Sequence, residues 1–104
     1  HAEPAMYTIQ YASRVVDDLA GVRPYDRSRV TDRIDTELAD TPTQATRHRK
    51  PLLGLRPPWD QEFPVWELRV GDYRVFYDVE EKLKVVTVLA IRFKPPHKTT
   101  EDIL

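Results

Sequence analysis

A tight β-hairpin is the feature that most constrains the fold of this chain. Residues 65–79, VWELRVGDYRVFYDV, form two short alternating runs joined at Gly71-Asp72. That dipeptide favours the positive φ angles of a two-residue hairpin turn, and a loop of this length fixes the register of the two strands. We therefore predict these cross-strand pairs: Val70 with Tyr73, Arg69 with Arg74, Leu68 with Val75, Glu67 with Phe76, and Trp66 with Tyr77.

Side chains alternate along each strand, so the hairpin presents two different faces. One face is almost wholly apolar or aromatic and is predicted to face the core: Trp66, Leu68, Val70, Tyr73, Val75 and Tyr77. The other face mixes charges with a single phenylalanine and is predicted to point outward and to carry the function: Glu67, Arg69, Arg74, Phe76 and Asp78.

Two opposed arginines, Arg69 and Arg74, dominate the predicted functional face. Like charges directly opposite each other on paired strands repel, so the pair requires a compensating anion. One interpretation is structural: Glu67 lies two residues from Arg69 on the same face and neutralises the arginines in an ion cluster. The other is functional: the two guanidinium groups converge on a phosphate or on the carboxylates of a partner.

The rest of the chain predicts a single small domain over residues 6–98. Residues 6–11 alternate as a short strand, and two amphipathic helices follow. The first helix is predicted to begin with Ser13 as N-cap and to end near Gly21, and the second to run from Asp26 through about Ala39. Together with a three-stranded antiparallel meander, this order predicts an α+β fold with the helices packed on one face of the sheet.

Four further segments have patterns that predict their structure separately. The proline-containing residues 43–64 are expected to be irregular, whereas residues 83–93, rich in β-branched side chains, are expected to form the most central strand. Residues 1–5 (HAEPA) are expected to lie outside the fold as a remnant of expression or an alternative start. Residues 99–104 are expected to be a short, partly helical C-terminal tail.

Composition excludes several classes of protein. The chain has no cysteine, and its histidines (His1, His48 and His97) have no metal-ligand spacing, so we expect neither a metal nor a cofactor. No apolar run approaches the roughly 18 residues that span a bilayer, and there is no signal-peptide pattern, so we expect a cytoplasmic protein without a membrane partner. The net charge is −1, so nucleic acid would have to bind a local basic patch.

Basic residues on both sides of the hairpin supply such a patch. The loop before the hairpin contains Arg47, Arg49 and Lys50, and the segment after the last strand contains Lys94 and Lys98. Cations gathered near one sheet edge are what a nucleic-acid ligand requires. The alternative is a charged loop exposed to solvent without a ligand.

The hairpin also contains a recognisable motif, L-R-x-G-x-Y-R-V-x-Y, formed here by Leu68, Arg69, Gly71, Tyr73, Arg74, Val75 and Tyr77. With the order of the elements, the strand VVTVLAI and the following KPPHK, this motif resembles the RelE/ParE superfamily of toxins from bacterial type II toxin–antitoxin modules. The resemblance covers residues 6–97. It implies a RelE-like fold, a cognate antitoxin that lays a helix or strand on apolar surface, and contact with operator DNA only through the antitoxin complex.

The resemblance leaves three functions open. The leading interpretation is a metal-independent endoribonuclease that cleaves ribosome-bound messenger RNA and inhibits translation. The alternatives are a ParE-like inhibitor of DNA gyrase and a catalytically silent, antitoxin-binding member of the family. If RNA is the target, the predicted RNA contacts are Arg47, Arg49, Lys50, Lys94 and Lys98, while Phe76 is predicted to contribute to the antitoxin contact surface.

For the RNA-cleaving branch, the resemblance implies attack of a ribose 2′-hydroxyl on the adjacent phosphate, with cations stabilising the added charge. Arg74 and Arg69 match the family's hairpin arginines and are the predicted phosphate clamps. The chain has Glu67 and Val65 where the family's ribosome-dependent nuclease has lysines. Glu67 is therefore either a general base or the ion-pair partner of the arginines, and His97 is the candidate general acid.

Overall fold

The computed structural model describes residues 6–52 and 63–104; the predicted N-terminal extension and part of the predicted irregular segment lie outside these residues. A five-stranded sheet has the strand order β1-β5-β4-β3-β2. The strands are β1 (Thr8–Tyr11), β2 (Arg49–Pro51), β3 (Trp66–Val70), β4 (Tyr73–Glu80) and β5 (Val85–Phe93). The helices are α1 (Val15–Ala20), α2 (Pro24–Leu38) and α3 (Thr100–Ile103).

The hairpin of β3 and β4 has the predicted register at every pair, from Trp66 with Tyr77 to Val70 with Tyr73. Gly71 adopts a φ of 57°, which favours glycine at this position. A Cβ atom on residue 71 would lie 2.7 Å from the Arg29 guanidinium, the end of a flexible side chain that would have to shift to make room. Strand β4 pairs antiparallel with β5, so the predicted meander is confirmed, and β1 adds to β5 in parallel.

The main core lies between the predicted apolar face of the hairpin and the first two helices. Val15 from α1 and Val30, Ile34 and Leu38 from α2 are fully buried there. They pack with the inward side chains of β3 and β4, which are Leu68, Val70, Tyr73, Val75 and Tyr77. Each fully buried aliphatic side chain contributes roughly 1.5–3 kcal/mol relative to exposure, so this layer is the main source of stability.

Several predicted boundaries differ from the structure. Helix α1 is capped by Arg14 rather than by Ser13 and has no side-chain capping bond. Helix α2 begins at Pro24, since the fixed φ angle of proline suits the first helical position, and Asp26 therefore lies inside the first turn. Strand β5 is interior but not central, because β4 occupies the middle of the sheet.

The outward face of the sheet is covered, contrary to the sequence prediction. Phe76 is fully buried and forms a second cluster with Val65, Leu89 and Ala90. The cover consists of partly buried apolar side chains from the C-terminal end and the loop after β2: Leu52, Ile103 and Leu104. The prediction that Phe76 belongs to an exposed antitoxin contact surface is therefore wrong. The C-terminal end is helical over Thr100–Ile103, as expected, and its Ile103 and Leu104 pack on the sheet.

A capping box starts the helix that covers this face. The Thr99 side chain accepts a hydrogen bond from the Asp102 backbone N–H, and the Asp102 carboxylate accepts one from the Thr99 backbone N–H at 3.0 Å. Reciprocal bonds of this kind satisfy donors that a helix start would otherwise leave without partners. These hydrogen bonds lower the pKa of Asp102, which therefore favours the charged form that caps α3.

Tyr77 gives this fold an expected sensitivity to high pH. Its buried hydroxyl donates a hydrogen bond to the Pro42 carbonyl at 2.6 Å, and burial raises the pKa of Tyr77 above its ordinary value. In the unfolded chain a tyrosine loses its proton near pH 10. The stability gained from protonated Tyr77 is therefore complete below about pH 10 and is lost as the pH rises further, because the unfolded state releases its proton first.

Replacing Tyr77 with phenylalanine is expected to lower the free energy of unfolding by about 1 kcal/mol near pH 7, since the Pro42 carbonyl loses its donor. The variant should also lose less stability than the wild type between about pH 9 and 11. Urea unfolding across this range measures both effects. Tyr25→Phe is the matched control, because Tyr25 is 74% exposed. An unchanged alkaline slope in Tyr77→Phe would contradict the assignment.

Candidate nucleic-acid interface

Three arginines form a row across the outward face of the sheet. Arg69 on β3 lies directly opposite Arg74 on β4, as predicted, and Arg74 lies opposite Arg92 on β5. Arg92 is not among the functional residues predicted from the sequence. Its guanidinium Nη1 pairs with Asp18 Oδ2 at 2.9 Å, and the same carboxylate oxygen accepts the Ile91 backbone N–H. Arg92 is therefore engaged in anchoring α1 to the sheet.

Arg74 is fixed within the protein rather than displayed at the surface. Its side chain is 8% exposed, and Nη1 donates hydrogen bonds to the carbonyls of Gly71 and Tyr73, both at 2.9 Å. Burial, together with the charge of Arg69, lowers the pKa of Arg74. Arg74 thus has a rigid orientation that the hairpin turn itself defines.

Arg69 is the exposed member of the pair. Its backbone N–H donates to the His48 carbonyl at 2.7 Å, and its own carbonyl accepts a hydrogen bond from Arg33 Nη2 at 3.3 Å. These main-chain bonds fix the strand, while the Arg69 guanidinium has no ion-pair partner among residues 6–52 and 63–104. Of the two clamps predicted from the sequence, Arg69 is the one that a ligand in solution can reach directly.

Glu67 has the geometry of an ion-pair partner. Its side chain is 6% exposed, its Oε1 lies 3.7 Å from Lys50 Nζ, and its Oε2 lies 4.0 Å from Arg74 Nε. The hydroxyl of Thr100 donates a hydrogen bond to Oε2 at 2.7 Å. A buried carboxylate that faces a lysine and an arginine and accepts a hydrogen bond from a hydroxyl has its charge compensated in place, so this arrangement supports the neutralising role rather than that of a base.

Arg49 lies on the wrong side of the sheet for the RNA contact predicted from the sequence. It is 6% exposed, and its Nη1 donates hydrogen bonds to the carbonyls of Glu37 and Thr41. Its Nε also lies 3.4 Å from Glu37 Oε1. Arg49 therefore ties β2 to the end of α2, and the prediction that it contacts a ligand is wrong because its charge is used internally.

Two other predicted cations remain open beside Arg69. Lys50 is exposed on β2 opposite Glu67, and Arg47 is exposed in the turn that precedes β2. These side chains border a shallow pocket of about 170 Å³, lined by Thr46, Arg47, His48, Arg49, Lys50, Glu67 and Arg69. The pocket combines three accessible cations with one neutralised carboxylate, which is a suitable lining for a phosphate group.

The segment after β5 passes along the same end of the sheet. The Lys94 backbone N–H donates to the Asp72 carbonyl at 2.7 Å, so Lys94 lies beside the hairpin turn. His97 and Lys98 follow in an exposed turn, which leads to Thr100 above Glu67. The predicted acid, His97, makes no hydrogen bond or ion pair with the arginine row in the described part of the chain.

Within the residues that the structure describes, no group of three or more histidine, cysteine, aspartate or glutamate side chains is placed to hold a metal ion. No helix among them has both the length and the apolar character needed to cross a membrane.

The family of the chain follows from comparison with known proteins. The family model for the ParE toxin of the type II toxin–antitoxin system parDE matches residues 9–93. The chain therefore belongs to the RelE/ParE superfamily and is a toxin of a type II toxin–antitoxin module. No match was found among curated proteins.

Solved structures share the same fold. The toxin–antitoxin complex RelBE2 of Mycobacterium tuberculosis aligns with a TM-score of 0.69 and 21% identity, over 90% of this chain and 98% of that one. The RelE–RelB complex of Pyrococcus horikoshii OT3 aligns with a TM-score of 0.61 and 24% identity, over 90% of this chain and 99% of that one. The isolated Escherichia coli RelE toxin aligns with a TM-score of 0.64 and 14% identity, over 88% of each chain. The predicted RelE-like α+β architecture is confirmed.

Proposed function

We propose that this toxin is an endoribonuclease that cleaves ribosome-bound messenger RNA and thereby inhibits translation in the cytoplasm. The observation that carries the proposal is the opposed pair Arg69 and Arg74, of which Arg69 lines an open pocket with further exposed cations. One arginine is accessible and the other is rigidly held. That combination allows a phosphodiester to dock on Arg69 close to a fixed positive charge.

The cations have the properties that the reaction requires. Attack of a ribose 2′-hydroxyl on phosphorus adds negative charge to the non-bridging oxygens, so guanidinium groups bind the transition state more tightly than the ground state. Arg69 supplies direct hydrogen-bond donors, and the buried Arg74 adds a positive charge at low solvent exposure. Arg47, Lys50, Lys94 and Lys98 extend the binding surface for flanking phosphates.

A cognate antitoxin is the proposed protein partner. The Mycobacterium and Pyrococcus structures are both toxin–antitoxin complexes. Acidic antitoxin side chains would neutralise Arg69 and its neighbouring cations, which would block the same surface that binds RNA. Contact with operator DNA would then be made by the antitoxin complex.

Inhibition of DNA gyrase is the second candidate function. The match to the ParE toxin model over residues 9–93 favours it. The bonds that occupy Glu67 favour it as well, because an inhibitor that only binds its target needs no free general base. The exposed cations would then contact an acidic protein surface.

Induced expression in bacteria separates the two functions. Under our proposal the wild type arrests growth, and primer extension on a reporter message shows new 5′ ends within the translated region. DNA isolated from the same cells should show no increase in gyrase-linked strand breaks. Intact messages together with such breaks would instead establish the second function. Growth without arrest would contradict both.

A further inference from the structure

His48 lies in the cationic pocket, although its position in the sequence does not indicate this. It occupies a turn closed by two hydrogen bonds between the backbones of Thr46 and Arg49, at 2.9 and 3.3 Å. The His48 carbonyl accepts the backbone N–H of Arg69 at 2.7 Å, so the turn is bonded directly to the strand that carries the exposed clamp. His48 lines the pocket together with Lys50 and Arg69.

One ring nitrogen of His48 is not used in a structural hydrogen bond among residues 6–52 and 63–104. The Nδ1 atom of His48 is buried and has no hydrogen-bond partner in the part of the chain that the structure describes. A buried polar atom without a partner costs roughly 1–3 kcal/mol, and natural proteins rarely retain one without a use for it. The contrast with Glu67 is direct, since the Glu67 carboxylate in the same pocket is held by Lys50 and Thr100.

The turn is also held rigidly in place. The residue after His48 is the buried Arg49, whose guanidinium bonds the carbonyls at the end of α2. His48 is thus fixed on one side by the Arg49 anchor and on the other by the bond to Arg69. A catalytic group must be held within a fraction of an ångström of its working position, and this turn provides such support.

We propose that His48 is the general base of the cleavage reaction, an inference that rests on the proposed ribonuclease function. The neutral imidazole accepts the proton of the attacking 2′-hydroxyl while the bond between O2′ and phosphorus forms. The bond between phosphorus and O5′ breaks, and O5′ takes a proton from a second acid, for which the exposed His97 is the candidate. The products are a 2′,3′-cyclic phosphate and a 5′-hydroxyl end, and His48 returns its proton to solvent.

Imidazole is suited to this step because it exchanges a proton near neutral pH, whereas the other side chains at the pocket do not. The arginines and Lys50 bear fixed positive charges that bind phosphate, and Glu67 is already paired. His48 therefore supplies the proton acceptor that the arginine row lacks.

His48→Gln tests the proposal with purified toxin on programmed ribosomes. The single-turnover rate at saturating toxin should fall by at least about 100-fold, whereas affinity for a non-cleavable 2′-deoxy message should stay within about twofold of the wild type. Gln44→Ala, an exposed change in the same connection, should leave both values unchanged. Thermal unfolding of each variant establishes that it is folded, and His48→Asn provides a second substitution.

The pH profile gives a readout that a merely structural role of His48 would not change. The wild-type rate should rise with pH, because a general base must be unprotonated to accept the proton of the 2′-hydroxyl, and the rise should be absent in His48→Gln or His48→Asn. Cleavage by the variant within about threefold of the wild type would overturn the role of His48 and leave the ribonuclease proposal intact. Absence of cleavage by the wild type would overturn both.

Discussion

Replacing Arg69 with alanine is expected to slow message cleavage by about 100- to 1000-fold, the usual loss when one donor to a developing oxyanion is removed. Arg69 is the exposed clamp, and its guanidinium makes no ion pair among residues 6–52 and 63–104. The substitution should therefore change the free energy of unfolding by less than about 0.5 kcal/mol. Single-turnover cleavage on programmed ribosomes and urea unfolding measure the two quantities.

Two matched variants sharpen this test. Arg69→Lys keeps the charge but loses the planar fork that binds a phosphate through two hydrogen bonds, so an intermediate rate is expected. Arg29→Ala removes an exposed arginine from the helix-bearing side and should leave cleavage unchanged. Wild-type cleavage by Arg69→Ala would contradict the phosphate-clamp assignment. Arg74→Ala is less informative, because Arg74 is buried and its loss also perturbs the hairpin turn.

Replacing Arg49 with alanine is expected to lower the free energy of unfolding by about 3 kcal/mol. The substitution leaves the carbonyls of Glu37 and Thr41 without their donor and removes the cation beside the Glu37 carboxylate. Removing one partner of a buried, hydrogen-bonded charge pair has a large cost because the other groups stay desolvated. Urea unfolding at neutral pH measures the loss.

Arg47→Ala is the control for this prediction. Arg47 lies two residues earlier in the same basic run but is exposed, so its removal should change the free energy of unfolding by less than about 0.5 kcal/mol. It should nevertheless weaken RNA binding and reduce its dependence on salt. Equal stability losses in the two variants would contradict the assignment of Arg49 as an internal anchor.

The hairpin could be predicted because its geometry depends only on residues that are close together in the sequence. A Gly-Asp turn sets the loop length, the loop sets the register, and alternation then assigns each side chain to a face. Every predicted pair is present, and Arg69 and Arg74 lie opposite each other as expected. The same local logic predicted the buried stripe of α2 from its four-residue spacing.

The residues that cover each face of the sheet could not be predicted from the local sequence pattern. Alternation places Phe76 and Glu67 on the outward side, but the cover comes from Ile103 and Leu104 at the far end of the chain. The covering helix has only four residues, too few for an amphipathic period to show. As a result Phe76 was wrongly assigned to an exposed surface.

Burial within the basic loop could not be predicted from the local sequence pattern either. In sequence, Arg47, His48, Arg49 and Lys50 are one charged run, and nothing local distinguishes the buried member. The three-residue strand β2 separates them, sending Arg49 toward α2 while Lys50 lies opposite Glu67. His48 becomes a candidate only because its carbonyl accepts a hydrogen bond from Arg69, a residue 21 positions later in the sequence (48 and 69).

The most direct measurement is the rate at which the wild-type toxin cleaves a message on programmed ribosomes, with and without a single 2′-deoxy nucleotide at the cleaved position. Our account predicts that the all-ribose message is cut and leaves a 2′,3′-cyclic phosphate end, whereas the deoxy message stays intact because the attacking hydroxyl is missing. Equal cleavage of both messages, or of neither, would contradict it.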